Sequence, residues 1–484
     1  MSKETAIDLS KVSVSETALA RVPARLARRH GVLPIALDDD LLTVVLADPD
    51  DALGTIQLEG QLGLRIKTVA VARPETVTRA IERYYTGLEG GVGTTALSTL
   101  EHLVHRAIQI HCSDIHLDPE AGAGVARMRV DGMMRVVGEY TPAFLTDLVS
   151  AIKVAARLDI SERRAPQDGQ LTMESLGESV AMRVALVPTV HGEKVTLRIL
   201  ATAAVSEALD RLDGLGMDEA HDRLFRSALD QAHGVILLSG PTGSGKTTTL
   251  YAALRHLREP GTRHIVSIEN PVEVPLRGVN QIQIDGERVT FAKALRSVLR
   301  HDPDVIMIGE IRDSETADIA VKSALTGHLV LATLHANTSI SVMTRLLGLG
   351  VSRDLVTATL RLVLSQRLVR RPCPHCVGDA PVTEALRTEF GWNMDAPSTV
   401  PRIHGCSLCG QLGYAGRLGL YEMVPMSRGL RDLIVAGASE DRLADLVFVE
   451  RQLSTLRDDG ARKIMRGLTT PEEVRRVTFL AEEG

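Results

Sequence analysis

From Gly234 onward, two kinds of apolar run alternate along the chain. Short unbroken runs (GVILLS, RHIVSIE, DVIMIG and LVLATLH) are separated by longer stretches in which apolar residues recur at helical spacing, as at Leu250, Ala253, Leu254 and Leu257. An unbroken run of this length suits a strand buried on both faces, and the spaced pattern suits an amphipathic helix. Strands alternating with helices predict an α/β unit with a mostly parallel sheet and helices on both sides.

Before Gly234 the pattern is different. LSTLEHLVHRAIQI reads as a helix, whereas GVARMRVDG, SVAMRVALVPTV and KVTLRIL alternate as half-buried strands do. Earlier still, LTVVLADPDD reads as a strand entering a turn, and VTRAIERYY has an apolar helical face. GLEGGVGTT is too glycine-rich to hold a fixed shape cheaply. These changes predict a first domain over residues 1–86, a linker over 87–95 and a second domain over 96–202. A second connection is expected over 203–215, followed by the α/β domain over 216–484, which includes a cysteine-bearing subdomain at 372–415. A chain of 484 residues has room for about three domains.

Composition narrows the function classes. The formal net charge is -6, so no global basic field recruits nucleic acid, and 3% aromatic residues are too few for a base-stacking surface. No apolar run reaches the roughly 20 residues that span a bilayer, and MSKETAIDLSKVSV lacks the apolar core of a signal peptide. The expected location is therefore cytoplasmic. Cys373, Cys376, Cys406 and Cys409 form two C-x-x-C pairs, the spacing at which four thiolates complete a tetrahedral Zn²⁺ shell. No further protein ligand is apparent, so the expected metal is structural. The insert between the pairs is longer than the usual zinc-ribbon spacing of about 15–20 residues. Cys112 reads as a small core residue.

The first strong chemical signal is Gly240-Pro241-Thr242-Gly243-Ser244-Gly245-Lys246-Thr247-Thr248, which fits G-x-x-x-x-G-K-[ST] and falls between a predicted strand and a predicted helix. Glycines let the backbone approach phosphate oxygens, and the amides and the helix N-terminus then face the anion. Lys246 is placed for the β- and γ-phosphates and the Thr247 hydroxyl for Mg²⁺. This reads as an ATP site. A phosphate loop alone does not define the task, because many motors, helicases and kinases carry one.

Three further strands deliver polar residues at their ends. Glu310 follows DVIMIG, where the usual terminal Asp is replaced by Gly309, and it is placed either to polarise the attacking water or to support the Mg²⁺ shell. SIENPVE supplies Glu269, Asn270 and Glu273, and LATLHANT supplies His335. Parallel sheets bind ligands beyond the carboxyl ends of their strands, so all of these positions point to the nucleotide.

In order, GPTGSGKTTTLY, SIENPVE, LRSVLRHDPDVIMIGEIRDSETA, ALTGHLVLATLHANT and LSQRLVRRPCPHC resemble the type II secretion ATPases, whose family includes the type IV pilus assembly ATPases. Upstream, CSDIHLDPE, RRAPQDGQ and VPTVHGEKVTLRIL extend the resemblance. It implies a RecA-like core, a PAS-like α+β domain before it and an α/β docking domain at the N-terminus. It further implies a homo-hexamer on the inner face of the inner membrane, docked on platform proteins and building a pilus-like fibre that drives export. Carried onto this sequence, Lys246 and Thr247 hold phosphates and Mg²⁺, and Glu310 is the catalytic glutamate. Glu269, Asn270 and Glu273 form the acidic box, and His335 the histidine box. Asn270 stands where the family has Asp, which removes a charge. Arg183 and Arg198 match arginines that reach the γ-phosphate. Arg296 and Arg300, four apart, are expected to share a helix face that offers guanidinium forks to phosphate. The paired cysteines match the secretion and pilus assembly members and are absent from the retraction ATPases. The short N-terminal region leans toward secretion, with pilus assembly as the alternative and a nucleic-acid translocase as the more distant one.

Overall fold

A computed structural model of the chain describes residues 14–22, 26–27, 30–38, 40–46, 59–60, 62–71, 74–85, 95–175, 178–200, 211–259, 261–286, 288–392, 397–406, 409 and 412–478. Most of the expected linkers at 87–95 and 203–215 lies outside the described residues. The chain divides into two compact units. The first comprises Met1–Thr202 with Cys373–Val377 and Ile403–Tyr414, and the second contains the rest.

In the first unit, β1 (Val32–Asp38), β2 (Leu41–Leu46) and β3 (Arg65–Val71) form a small sheet in that order, antiparallel then parallel. The helix Pro74–Tyr85 belongs to the same core, with Val77, Ile81 and Tyr84 buried alongside Leu33, Leu42 and Val44. A second, six-stranded sheet follows: β4 (Cys112–Glu120), β5 (Ala123–Val130), β6 (Met133–Tyr140), β7 (Gln167–Ser175), β8 (Glu178–Thr189) and β9 (Gly192–Ile199). Its order is β6-β5-β4-β9-β8-β7, with every described pairing antiparallel. Alternation decides its faces. Ile115, Leu117, Met182, Val184, Val195 and Leu197 are buried, together with Leu100, Leu103, Leu148 and Ile152 from the helices Ala96–Gln109 and Pro142–Ala155. Thr141 caps the second of these helices by accepting from the Phe144 amide, and Pro142 occupies the first turn, where no amide donor is needed.

In the second unit, β10 (Gly234–Ser239), β11 (Ile265–Glu269), β12 (Asn280–Gln283), β13 (Val305–Ile308), β14 (Leu329–Leu334) and β15 (Leu360–Pro372) enter one sheet. A small two-stranded sheet of β16 (Val377–Pro381) and β17 (Thr399–Ile403) intervenes before β18 (Tyr414–Pro425). The seven-stranded order is β12-β11-β13-β14-β10-β15-β18, and its pairs from β12 to β15 are parallel. Every residue of β10, β11, β13 and β14 is buried. Alternate residues of β10 feed two separate cores. Val235 and Leu237 join one with Val330 and Ala332, whereas Ile236 and Leu238 join the other with Leu250 and Leu254. The unbroken apolar runs are thus explained by a sheet covered on both faces. No helix among the described residues is long and apolar enough to cross a membrane.

Candidate functional site

The phosphate loop leaves β10 at Ser239 and enters the helix Lys246–Arg258. Gly240 and Gly245 adopt φ of 146° and 89°. A methyl group at Gly240 would meet the Gln366 carbonyl oxygen at 2.5 Å, and one at Gly245 would meet Gln366 Nε2 at 2.8 Å. Both positions therefore require glycine for conformation and for space. Lys246 Nζ donates to the carbonyls of Gly240 and Pro241, at 2.7 and 3.0 Å. Burial lowers the Lys246 pKa, the nearby Arg367 charge adds to that, and Glu310 opposes it. The Thr247 hydroxyl lies 3.4 Å from Glu273 Oε1. Among the other loop residues, Pro241, Thr242 and Gly243 are exposed, Ser244 is buried, and Thr248 lies half-buried in the first helical turn.

Glu310 stands just beyond β13, 19% exposed. One carboxylate oxygen is 3.1 Å from His335 Nε2 and the other 2.6 Å from Arg312. Glu310 and His335, read separately from two strand ends, are thus brought together, and the Glu310 charge acts on Lys246. Gly309 permits this: its amide donates to Ile268 O at 2.8 Å, and its carbonyl accepts from Thr333 Oγ1 at 2.6 Å. A methyl group there would lie 3.3 Å from Ile268 O, a tight fit where an Asp was anticipated.

Glu269 is 3% exposed and fully engaged. It accepts from Ser267 Oγ at 2.6 Å, Gln281 Nε2 at 3.0 Å and the Tyr251 hydroxyl at 2.5 Å. Burial and the Glu269 charge push the Tyr251 phenol well above its usual range. Tyr251 also accepts from the Glu273 amide at 3.2 Å, so Glu269 braces the turn that carries Asn270 and Glu273.

Arg296 and Arg300 do not share a helix face. The helix ends at Val298 with Leu299 as its cap, and the Arg300 amide turns back to Ser297 O. Asp302 at φ 52°, ahead of Pro303, continues that turn. Arg296 pairs with Glu315, and among the described residues neither arginine bonds to the phosphate loop, Glu310 or His335.

In the first unit, Arg183 and Arg198 stand directly opposite each other on β8 and β9. Arg198 is opposite Asp114 on β4, which is opposite Arg129 on β5. Arg198 Nε donates to Asp114 Oδ1 at 2.7 Å, and Arg129 Nε lies 3.9 Å from Oδ2. Arg198 and Arg129 therefore flank the buried Asp114 carboxylate, and Arg183 stands one strand further along the same row.

The four cysteine sulfurs lie within 4.8 Å of one another. Sγ–Sγ distances are 3.9 Å for Cys373–Cys406, 3.8 Å for Cys376–Cys409 and 3.7 Å for Cys406–Cys409. Tetrahedral ligation at a Zn–S distance near 2.3 Å requires about 3.8 Å, so the cluster fits Zn²⁺. Burial raises the Cys409 thiol, but the Cys406 and Gly413 amides donate to its sulfur and bring it down to about 7. Burial pushes Cys376 up to about 12. These segments group with the first unit, whereas β15 and nearly all of β18 belong to the second. The Cys409 carbonyl accepts from Arg135 Nη2 of β6 at 3.2 Å.

Sequence reading assigned no role to Ser365, Gln366 or Arg367, although they line the loop. Ser365 Oγ is 2.6 Å from Ser239 Oγ, and Gln366 Oε1 accepts from Thr249 at 2.7 Å. The available signal was three polar residues in succession inside an otherwise apolar strand.

Residues 94–476 match the family model described as Type II/IV secretion system protein, and residues 4–91 match the MshEN domain. The chain is 40% identical over 450 residues to Type II secretion system protein E of Pseudomonas aeruginosa, covering 92% of this chain and 87% of that protein. It is 39% identical over 503 residues to the type IV pilus assembly ATPase PilB of Myxococcus xanthus, covering 97% and 88%. Among solved structures, the pilus retraction motor PilT with bound ADP aligns with a TM-score of 0.54 at 25% identity, covering 78% of this chain and 96% of that one. The DotB ATPase of Legionella pneumophila aligns with a TM-score of 0.59 at 20% identity, covering 80% and 97%, and shares the fold.

Proposed function

The chain belongs to the type II/IV secretion system protein family and hydrolyses ATP, and from that premise we propose that it powers assembly of a pseudopilus for type II protein export. The observation that carries the chemistry is the pairing of Glu310 with His335 at the carboxyl ends of β13 and β14, with the phosphate loop leaving the end of β10. The loop amides and Lys246 Nζ take the phosphates as Lys246 leaves the Gly240 and Pro241 carbonyls. His335 and Arg312 hold the Glu310 carboxylate, whose role is to orient and polarise the attacking water. Thr247 and Glu273 are the groups suited to hold Mg²⁺, which supplies charge neutralisation at the phosphates. Glu269 acts by fixing the turn beside them. By the family resemblance, Arg183 and Arg198 are the arginines that answer to the γ-phosphate.

The motor works as a homo-hexamer on the cytoplasmic face of the inner membrane, held there by platform proteins through its N-terminal domain. Zn²⁺ in the four-cysteine site is structural. The close PilB relative favours a second reading, assembly of a type IV pilus. The deciding experiment replaces the chromosomal gene by its Glu310→Gln form. Loss of exported enzymes from the medium with surface pili intact supports secretion. Loss of pili with export intact supports the second reading, and parental export and piliation overturn both.

A further inference from the structure

Arg367 lies on β15, 8% exposed, two residues beyond the point where that strand's pairing with β10 ends. A guanidinium is placed there at a cost unless its donors are used. Its two ends are used for different elements. Nη1 donates at 3.1 Å to the Gln366 carbonyl, the oxygen packed against Gly240 of the phosphate loop. Nη2 donates at 2.8 Å to the carbonyl of Asn337, two residues beyond His335. Gln366 in turn touches both ends of the loop: its carbonyl faces Gly240, its Nε2 faces Gly245, and its Oε1 takes the Thr249 hydroxyl of the following helix. The far side of the histidine loop is fixed as well. Buried Glu422 accepts from the Ser339 amide at 3.0 Å and from the Ser339 hydroxyl, closing the N-terminus of the helix Ser339–Gly348. The segment from His335 to Ser339 is therefore held at three points, by Glu310, Arg367 and Glu422.

We infer that Arg367 is a positioning residue for hydrolysis: a strut between the floor of the phosphate loop and the histidine loop that sets where His335 holds Glu310. The inference rests on the reading of Glu310 as the carboxylate that orients water. One carbonyl on its own strand and one on the histidine loop, both reached by one planar fork, specify arginine rather than any cation. A lysine at this position keeps the charge and loses the span. Without the strut, the phosphate loop still presents its amides and Lys246, so nucleotide binding survives. The water-orienting carboxylate is no longer registered against the bound phosphates, and misplacement of about 1 Å costs on the order of 10² in rate.

The test uses the full-length, zinc-loaded chain with Arg367→Gln, Arg367→Lys, His335→Ala and the Arg367→Gln/His335→Ala double variant. Fluorescent ATP reports affinity and phosphate release reports turnover. Arg367→Gln is expected to lower kcat about 10²-fold with the nucleotide Kd changed by no more than about threefold. Arg367→Lys is expected to recover only part of that loss. The double variant is expected to lose no more than the worse single one, because both act through one loop. Full rescue by lysine, losses that multiply in the double variant, or an affinity loss matching the turnover loss overturns the strut. If Arg367→Gln does not fold, Arg367→Lys carries the affinity-against-turnover split and the cycle with His335→Ala. Parental turnover in both Glu310→Gln and His335→Ala overturns the underlying reading instead. Collapse in those two with parental turnover in Arg367→Gln overturns the strut alone.

Discussion

The phosphate-loop site and the arginine row of the six-stranded sheet hold their charges in opposite ways. In the first, each ionic group is already engaged: Lys246 on two carbonyls, Glu310 between His335 and Arg312, Glu269 among three donors. In the second, Arg183 and Arg198 face each other across β8 and β9, and Asp114 is the carboxylate between Arg198 and Arg129. Like charges placed directly opposite on a sheet destabilise it. The difference separates a site whose charges are each offset by a partner from a row in which two like charges stand opposite each other.

The sharpest break between the two comes from their deletions. Glu310→Gln is expected to bind ATP and to lose about 10³-fold in turnover, within the range for a positioned acid–base group. Phosphate release under saturating ATP measures it, and a parental rate removes Glu310 from the chemistry. Arg183→Ala and Arg198→Ala are expected to lose less. A supplied guanidinium is worth about 10³–10⁵ in related phosphate transfer, but Asp114 already engages Arg198, so about 10² is expected for each. The melting temperature should hold or rise slightly for Arg183→Ala, because the substitution relieves a like-charge pair. A fall in stability with turnover unchanged would make the row a feature of the fold alone.

Much of the candidate site's layout was legible because strand ends in a parallel sheet converge, so Lys246, Glu310 and His335 could be grouped from their positions after apolar runs. The pairing of Glu310 with His335 was not legible, since it requires β13 and β14 to be neighbours in the sheet, an order that apolar runs do not state. Arg296 and Arg300 failed at a helix terminus, where a turn ahead of Asp302 and Pro303 ended the helix before its period could bring them together. Arg367 escaped notice because a buried cation reads as surface charge until the carbonyls that receive it are known. The register that sets Arg183 opposite Arg198 follows from the hairpin at Thr189 and Gly192, which pattern alone does not count out.

The cysteine cluster sharpens the comparison at smaller effect on turnover. Its sulfurs group with the first unit, so losing the metal should loosen that unit's loops and leave nucleotide affinity in the second intact. Cys406→Ser is expected to reduce zinc from about one ion per chain to none, since structural sites contribute about 10–16 kcal/mol in small peptides and require all four ligands. Elemental analysis and fluorescent ATP binding read the two halves. An affinity loss that tracks zinc loss would contradict their independence, and a parental chain without zinc would remove the metal.

Acid titration gives the smallest effect on turnover and asks whether the engaged charges of the second unit stabilise it as a whole. Glu473 is buried, and burial alone would raise its pKa. Arg476 and Arg370, the latter at 2.7 Å on β15, outweigh that and hold it down to about 2 from an ordinary 4.5. The folded pKa is depressed, so the stabilisation is fully present above pH 4.5 and is lost as pH falls toward 2. At neutral pH the shift corresponds to roughly 3 kcal/mol as an upper figure. Arg370→Gln removes part of it and leaves Arg476 in place, so a loss of about 1–2 kcal/mol in urea is expected at pH 7, shrinking as the pH drops below 4. Urea unfolding of the parental and Arg370→Gln chains from pH 7 to pH 3 checks the sign. A difference that stays constant across that range would mean that Arg370 contributes by packing along β15 rather than by holding the Glu473 charge, and the engaged carboxylates would then not be what stabilises the catalytic unit.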